Sequence, residues 1–468
     1  MTLEEIIALE PEARIDELKK GRTVKLPDVK SCVKALDPKL HDVFDTALRP
    51  DKPIKDGDTI TRTESVARIA IAMQESIVKK AVSFIFGNPV ELTLKSEDAT
   101  DKKIFEAVKD ILTDVKINSL NRRVAKALFS CTEVAELWYP QEIKSEEEAL
   151  YGIESKFKLR MKILNPLDGE ELYPYFDDYG DMIVFSRKYS VTKGDKVTTY
   201  FEVYTDEQID KYDISDGKPV QVENFPVKNE IGKIPIIYGR QKKTDYDDVQ
   251  GMIDRLEKLL SNFADTNDYH SAPTIFIRGK VIGFSKKGES GKIIEGEKDS
   301  EAQYLSWTNA PEAVRLEITT LLNLISMISQ TPDVSFENIK SIGSSISGKA
   351  LELLFMDAHL KVQDHMEVFD EYLQRRHSVI KAFIGSFNSS LKKSVRNTKI
   401  DFEVIPYMIT DETAGIDFIM TANGNKPVIS QKTAIKMSNL VENVEDELKQ
   451  IQEEEEASNV TELFPTGK

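Results

Sequence analysis

Apolar residues recur at helical spacing between residues 246 and 383, and their pattern predicts three long helices. The first apolar stripe comprises Val249, Met252, Ile253, Leu256, Leu259, Leu260 and Phe263, whose spacing puts them on one helical face. The second follows Pro311, ends before Pro332, and comprises Val314, Ile318, Leu321, Leu322, Ile325 and Ile328. The third helix can be capped by Ser347 and carries Leu351, Leu354, Phe355, Ala358, Val362, Met366, Phe369 and Leu373.

Two segments of different character separate these helices. After Pro273, a run punctuated by Gly279, Gly283, Gly288, Gly291 and Gly296 predicts a small hairpin-rich excursion that ends near Trp307. From Asp333 to Ser347 the chain is polar, with Gly343 and several serines, and predicts a loop. An outgoing helix, an excursion and a returning helix indicate a segment built for assembly rather than for holding a small molecule.

Elsewhere the pattern predicts a mixed α+β protein. Residues 1–60 contain five prolines and predict two short helices at best. We expect helices over Thr63–Phe86, Lys102–Thr113 and Ser119–Phe129, and a mostly helical segment over Ser430–Glu456, followed by a disordered tail. Alternating residues predict a strand at Val90–Leu94 and an antiparallel sheet built from Lys158–Ile163, Met182–Tyr189, Val197–Tyr204 and Ile234–Tyr238, to which Lys399–Val404 could return.

Bulk properties narrow the class of protein. A chain of 468 residues exceeds one core, so two to four subdomains are expected. The formal net charge of −17 argues against a conventional DNA-binding protein. With no run of about 18 apolar residues and no basic or apolar start, we expect a soluble protein made in the cytoplasm. Cys32 and Cys131 lack metal-ligand spacing and are expected to be buried free thiols.

The segment Gly343–Ala350 nearly matches a phosphate-binding loop, but an ATPase site is disfavoured. Ala350 lacks the hydroxyl that holds magnesium, and no buried strand precedes the loop. The spacing of His359 and His365 does not suit a metal pair, so these two and His377 are interpreted as surface or packing histidines. Asp177–Asp181 is interpreted as a hairpin turn rather than a calcium loop. We therefore predict no catalysis, no cofactor and no metal.

Several of these stretches resemble one family. The runs Tyr246–Val249, Ser261–Asp265, Thr331–Asp333 and Ser347–Leu351 are similar to the portal proteins of tailed bacteriophages. Further similar runs, in order, are Val82–Val90, Ile234–Ile237, Val428–Thr433 and Val444–Leu448, so the resemblance extends from about Ser65 to Glu456. Lys349 departs from the pattern, because relatives commonly carry an apolar residue there.

The resemblance implies a portal-type fold with an α/β wing, a two-helix stem, a small β-containing clip, a long wing helix and a helical C-terminal crown. The implied boundaries are 1–60 for an N-terminal arm, 61–240 for the wing, 241–272 for the first stem helix, 273–310 for the clip, 311–332 for the second stem helix, 333–347 for a tunnel loop, 348–390 for the long wing helix, 391–425 for a returning wing strand, and 426–468 for the crown and a flexible acidic tail.

The implied function is a ring, expected to contain twelve copies, at one capsid vertex of a virion assembled in the host bacterial cytoplasm. Double-stranded DNA would pass through it, without sequence specificity, during packaging, retention and ejection. Expected partners are the terminase large subunit, a head-tail adaptor, and the major capsid and scaffolding proteins, with no membrane. A mostly acidic wall would keep DNA moving, although acidity could equally serve solubility alone. A non-channel capsid scaffold or adaptor is the other structural interpretation.

Three sets of residues are predicted to carry this function. The DNA-facing tunnel loop would use Ser335, Glu337, Lys340, Ser341, Gly343, Ser344, Ser345, Ser347 and Lys349. Packing of stem helices between subunits would use Val249, Ile253, Leu256, Leu260, Val314, Ile318, Leu321 and Ile325. Docking of partners at the clip would use Lys280, Lys286, Lys287 and Lys292, unless these belong to a solvated loop with no partner.

Overall fold

Helices and strands alternate along a chain that divides into two units. A computed structural model describes residues 2–22, 24–56, 58–143, 149–271, 274–279, 281–284, 294–296, 301–305, 310–332, 355–407, 419–423, 428–438, 441 and 443–463. The first unit comprises residues 1–332 and 357–407, and the second comprises residues 333–356 and 408–468. The mixed helix and strand class predicted from the sequence is confirmed.

The helices of the first unit include the longest helix of the described chain. They are α1 (Leu3–Ile7), α2 (Pro11–Lys20), α3 (Val29–Leu36), α4 (Met73–Phe86), α5 (Ala99–Asp114), α6 (Ile117–Cys131), α7 (Gln250–Ser271), α8 (Ala310–Ile328), α9 (Met356–Phe387) and α10 (Ser394–Asn397). The predicted long helices correspond to α7, α8 and α9, and α9 alone has 32 residues. The segment proposed to begin the third helix, residues 348–354, lies outside the described residues.

The strands are mostly short and antiparallel. They are β1 (Lys52–Asp56), β2 (Thr59–Glu64), β3 (Glu91–Leu94), β4 (Glu133–Glu142), β5 (Ala149–Leu150), β6 (Ile153–Glu154), β7 (Phe157–Leu164), β8 (Glu171–Phe176), β9 (Met182–Lys193), β10 (Lys196–Tyr204), β11 (Gln208–Asp213), β12 (Val220–Gln221), β13 (Val227–Lys228), β14 (Ile236–Arg240), β15 (Thr274–Arg278), β16 (Val281–Phe284), β17 (Ile294–Gly296), β18 (Glu301–Leu305) and β19 (Ile400–Glu403). Pairing of β15 with β18 and of β16 with β17 confirms the predicted hairpin-rich excursion.

Besides the short pair β5-β6, the strands between residues 133 and 240 form two larger, separate sheets, which corrects the single sheet predicted. One has the order β14-β4-β7, and the other has the order β12-β11-β10-β9-β8, with β13 beside β11. A turn of 3₁₀ helix at Pro166–Asp168 separates β7 from β8, and Gly169 follows it with a φ of +87°. Because this turn redirects the chain, β8 pairs with β9 rather than continuing the first sheet.

The N-terminal segment packs into the core of the six-stranded sheet. Residues 1–60 form three α-helices, which corrects the prediction of two at best. Pro11 occupies the first turn of α2, where a missing N–H costs nothing, so it begins the helix instead of breaking it. Side chains from α1 and α2 join the sheet in one buried cluster that includes Ile6, Ile15, Leu18, Tyr173, Tyr175, Val184, Phe201, Val203 and Tyr212.

The predicted helix over Thr63–Phe86 begins ten residues later than expected, because α4 starts at Met73. Residues 67–71 instead run along α7. The backbone N–H groups of Ala67, Ile69 and Ile71 donate to side-chain oxygens of α7 at 2.8, 2.9 and 2.9 Å. We call the accepting residues, Asp265, Ser261 and Glu257, the α7 ladder. Two residues of extended chain span about 6.6 Å and four residues of helix rise about 6 Å, so the two spacings match.

Strand β19 does not return to either large sheet, which corrects that prediction. It pairs with β3 in a two-stranded sheet, where Phe402 lies opposite Leu92. The chain then passes beside α4, where the backbone N–H of Tyr407 donates to the carbonyl oxygen of Phe84 at 2.8 Å. This pairing ties the end of the first unit to its beginning.

The second unit contains the predicted C-terminal helices. They are α11 (Gln431–Ser438) and α12 (Val444–Leu463), and an ion pair joins Lys432 to Glu445. The mostly helical prediction for residues 430–456 is therefore confirmed. The tail containing Pro465 and Gly467 lies outside the described residues.

A buried arginine fixes α9 to the first sheet. Arg376 donates from Nε to Glu136 on β4 at 3.0 Å and from Nη1 to Asn121 on α6 at 2.7 Å. Trp138 donates to the same Glu136 carboxylate at 2.9 Å. Burial alone would lower the pKa of Arg376, but the adjacent Glu136 outweighs burial and raises it. The Arg376–Glu136 pair is 2% and 0% exposed, so neither charge has access to water.

Replacing Glu136 by Gln should destabilise the chain strongly. The substitution keeps the shape of the side chain but leaves the Arg376 cation buried without a counter-charge, which costs about 3–5 kcal/mol of unfolding free energy. Glu371→Gln is the matched control on the same helix, because Glu371 pairs with Arg375 at 2.8 Å but is 67% exposed. It should cost at most about 1 kcal/mol. Urea unfolding followed by tryptophan fluorescence measures both, and equal losses would contradict the account.

Candidate functional site

A buried ion-pair cluster joins the three long helices. Asp245 precedes α7, and its carboxylate accepts from Lys361 Nζ at 3.0 Å and from His365 Nε2 at 3.1 Å, both on α9. Lys361 Nζ also donates to the carbonyl oxygen of Ser329, just after α8, at 2.9 Å. We call Asp245, Ser329, Lys361 and His365 the junction. It links the start of α7 and the end of α8 to the first half of α9.

Packing holds the junction in place from the side of α6. The His365 ring stacks on Phe129 with ring centroids 3.9 Å apart, and the backbone N–H of Asp245 donates to the Phe129 carbonyl oxygen at 3.1 Å. On α4, Lys80 Nζ donates to the carbonyl oxygen of Pro332 at 3.3 Å. The chain is therefore fixed at Ser329 and Pro332, immediately before the segment predicted to form the tunnel loop.

The electrostatics of the junction favour an ionised Asp245. Burial alone would raise the pKa of this carboxyl group, since its side chain is only 3% exposed. The hydrogen bond from His365 and the positive charge of Lys361 outweigh burial, and the net effect lowers the pKa below its ordinary value of 3.8. The junction therefore stays charged, and it holds its elements together near neutral pH.

A cleft of about 690 Å³ opens beside the junction. Its walls carry charges of both signs, from Arg240, Lys242, Lys243, Asp248, Asp364 and Glu367. Within the described ranges, no group of three or more His, Cys, Asp or Glu side chains is placed to hold a metal ion. The mixed charges suit polar contacts with another macromolecular surface better than recognition of one small molecule.

The structure corrects part of the predicted packing of the stem helices. Val249, Ile253, Leu256 and Ile325 are 0%, 0%, 1% and 2% exposed within a single chain, so they have no surface left for a neighbouring subunit. The apolar stripe predicted a buried face correctly, but the same chain supplies the partner surface. The other four predicted residues, Leu260, Val314, Ile318 and Leu321, are half-buried.

The opposite face of α8 carries apolar residues that sequence reasoning missed. Leu316 is 69% exposed and Met327 is 60% exposed. They are eleven residues apart, close to three helical turns, so they share a face. That separation was a usable signal, but the stronger stripe on the buried side obscured it. We call this surface, with Thr320 and Asn323 between its two ends, the outer face of α8.

Two other sets of predicted residues lie outside the described residues. They are the tunnel-loop residues Ser335, Glu337, Lys340, Ser341, Gly343, Ser344, Ser345, Ser347 and Lys349, and the clip residues Lys280, Lys286, Lys287 and Lys292.

His377 and both cysteines are buried within the first unit. Burial, together with the charges of Arg376 and Lys381, lowers the pKa of His377 to about 3, so this ring packs as a neutral group. His365 belongs to the junction. Cys32 and Cys131 are both free and buried, which confirms the expectation for the thiols.

The predicted turn over Asp177–Asp181 is confirmed. The Asp177 carboxylate accepts from the backbone N–H groups of Tyr179 and Asp181, both at 2.9 Å, and Gly180 has a φ of +90°. Its carboxylate therefore closes the hairpin between β8 and β9.

None of the described helices is long and apolar enough to cross a membrane. Residues 16–461 match the model of the family described as phage portal protein, SPP1 Gp6-like. No curated protein matches this sequence.

Two solved structures are similar at 10% identity and a TM-score of 0.40 each. The first is a chain from the structure described as the neck of an empty GTA particle computed with C6 symmetry. The similarity covers 78% of this chain and 90% of that chain. The second is a chain from the structure described as the neck of a native GTA particle computed with C12 symmetry. The similarity covers 91% of this chain and 98% of that chain. At this TM-score, neither similarity defines the fold further.

Replacing Asp245 by Asn should loosen the junction. Lys361 would lose its counter-charge while 11% exposed, so we expect a loss of about 3–5 kcal/mol of unfolding free energy at pH 7. In the wild type, ionised Asp245 contributes its full stabilisation of the folded state above pH 3.8, the ordinary aspartate pKa. This stabilisation is lost as the pH falls through the lower pKa that Asp245 has in the folded state. The difference between the two proteins should therefore narrow only below pH 3.8.

The control for this prediction is Asp248→Asn. Asp248 pairs with Lys243 nearby, but it is 53% exposed and should contribute at most about 1 kcal/mol. Urea midpoints at several pH values measure both variants. An Asp245→Asn protein as stable as the wild type at pH 7 would show that the junction does not hold these helices.

Proposed function

Because the chain belongs to the phage portal protein family of the SPP1 Gp6-like type, we propose that copies of it form a closed ring through which double-stranded DNA passes during packaging, retention and ejection. The portal or connector role follows from the family, which is structural rather than catalytic and supplies a component of the virion capsid. Beyond this role, we propose that the copies form a ring, that the ring contains twelve of them, and that DNA passes through it.

The family match over residues 16–461 carries this proposal, and the order of elements supports it. We assign residues 1–60 to an N-terminal arm, 61–240 to the wing, α7 and α8 to the stem, and 273–310 to the clip. We further assign 333–347 to the tunnel loop, 348–390 to the long wing helix, 391–425 to a segment that contacts the wing through the pairing of β19 with β3, and 426–468 to the crown and tail. The nested hairpins between α7 and α8 suit a projecting clip.

The outer face of α8 is the proposed contact between neighbouring subunits. One side of α8 is already buried, as Ile325 illustrates, whereas Leu316 and Met327 remain in water. Burying a large aliphatic side chain contributes about 1.5–3 kcal/mol, so association of copies would remove an unfavourable exposure. A head-to-tail contact gives a closed ring when repeated rotation about the axis returns to the first copy.

The channel is proposed to be lined by residues 333–347, which follow directly after the fixed carbonyl of Pro332. With a net charge of −17 per copy, the ring as a whole would repel phosphates and let DNA slide rather than bind it. The clip, with its four lysines, would dock the terminase large subunit and later the head-tail adaptor. Capsid and scaffolding proteins would surround the ring at one vertex of the virion.

Substituting Leu316 and Met327 together by Glu should prevent ring formation. Two charges at each contact and the loss of two buried side chains weaken each interface by about 3 kcal/mol or more, which is roughly 150-fold in association constant. Negative-stain images and sedimentation should show monomers in place of closed rings. Tyr179→Glu, at a hairpin tip that is 94% exposed, is the matched control and should still form rings. Rings from the double variant would refute the proposed contact.

Deleting residues 341–345 should spare ring assembly and impair DNA packaging or retention. The deletion removes part of the proposed tunnel loop but none of the stem surfaces. Counting rings by electron microscopy, and measuring DNA protected from nuclease in assembled particles, separates the two effects. If rings disappear when these residues are removed, the assignment of the loop to the channel is wrong.

A further inference from the structure

A cationic pocket lies at the C-terminal end of α9, apart from the junction. Its volume is about 370 Å³, and its walls come from the loop before β14, the last turns of α9, and the chain just after that helix. Four cations line it: Lys233, Lys381, Lys392 and Arg396. Glu230 is the one carboxylate among its lining residues. In a chain with a net charge of −17, four cations gathered in one pocket would be stabilised by a bound anion.

Two of these cations have neutral hydrogen-bond partners instead of carboxylates. Lys233 Nζ donates to Ser378 Oγ at 2.5 Å, and Lys381 Nζ donates to the carbonyl oxygen of Thr398 at 2.6 Å. Glu230 forms an ion pair with the exposed Lys228 at 3.2 Å. Asp101, which attracts Lys381 from α5, accepts a hydrogen bond from Thr398 Oγ1 at 2.5 Å. Both acids are thus already engaged.

The charges in the pocket oppose one another. Burial, and then the positive charge of Arg396, lowers the pKa of Lys233. Burial, and then the positive charge of Lys233, lowers the pKa of Lys381, although Asp101 acts in the other direction. Bringing a negative charge into the pocket would relieve this repulsion.

Close packing gives the pocket a fixed shape. A Cβ atom at Gly385 of α9 would lie 2.9 Å from Cγ2 of Val395, so the chain after α9 sits directly on the helix. Val395 is 5% exposed, and its neighbours Lys392 and Arg396 are exposed at the rim. Lys381 is therefore half-buried inside the pocket, and Lys233, Lys392 and Arg396 are exposed around its mouth.

We infer that this pocket binds a phosphate group, either as free inorganic phosphate or as part of a DNA backbone. Ammonium and guanidinium groups donate charge-assisted hydrogen bonds to phosphate oxygens, and four of them converge here. The inference goes beyond the proposed channel, because none of these residues belongs to the stem or to residues 333–347. The pocket would attract phosphate, although the net charge of the whole protein repels it.

The first test is thermal melting of the purified full-length protein in phosphate and in chloride at equal ionic strength. A ligand that binds only the folded state raises the melting temperature in a saturable way. We expect this rise in the wild type and in the control Lys109→Gln, which alters a half-exposed lysine on α5. Lys233→Gln/Lys381→Gln should lose the rise, with binding at least about tenfold weaker, because two charge-assisted hydrogen bonds are removed.

A second variant guards against misfolding. Lys392→Glu/Arg396→Glu changes only exposed side chains at the rim, so it should fold normally and still lose the phosphate effect. Binding should also weaken as pH rises, because Lys233 and Lys381 lose their protons at lower pH than ordinary lysines. No phosphate-specific rise in the wild type, or an equal rise in either double variant, would overturn the inference.

A DNA-binding experiment distinguishes free phosphate from the phosphates of a DNA backbone. Fluorescence anisotropy with a short labelled duplex measures whether DNA binds and whether inorganic phosphate competes with it. DNA binding that both double variants weaken identifies the backbone as the ligand. Phosphate binding without DNA binding identifies free phosphate, and the pocket is then an ion site.

Discussion

The structure of the first unit depends on two buried ion pairs that fix α9. Lys361 binds Asp245, and Arg376 binds Glu136, at positions fifteen residues apart, about 22 Å along the helix. Breaking a buried pair is costly because the remaining charge stays out of water. Asp245 lies directly before α7, and Ser329, which shares Lys361, lies directly after α8. Any displacement of α9 must therefore move the start of α7 and the end of α8 or break a buried charge contact.

Contacts within the chain bury the apolar face of α7 but leave part of α8 exposed. An apolar stripe on α7 is buried, and the α7 ladder binds the extended segment 67–71 through its backbone N–H groups. These hydrogen bonds replace the ones to water that the backbone N–H groups lose on burial. Arg255 pairs with Glu317 at 2.7 Å and ties α7 to α8. Leu316 and Met327 on the outer face of α8 remain in water, and this exposed apolar surface suits the proposed contact between neighbouring subunits.

Long periodic helices could be predicted from the sequence, whereas the partners of their side chains could not. The stripe from Val249 to Leu260 defined a buried face, but periodicity does not say whether the same chain or another copy covers it. Glu257 and Asp265 contact backbone groups roughly 190 residues away in sequence, so the local pattern of residues does not indicate these contacts. Arg376 and Lys361 offered a local signal, since each interrupts an apolar stripe of α9. The start of α4 and the division of the sheets depended on such distant contacts, so local propensity predicted them incorrectly.

The central claim is that the chain builds a ring in which the junction remains intact within each copy and the outer face of α8 is covered by the next copy. Cryo-electron microscopy of the purified, assembled protein tests it most directly. The account predicts a closed ring around an open axis, with Leu316 and Met327 buried between subunits and Lys361 still bound to Asp245 of its own chain. Particles without a central opening, or a ring in which Leu316 and Met327 remain in solvent, would contradict it.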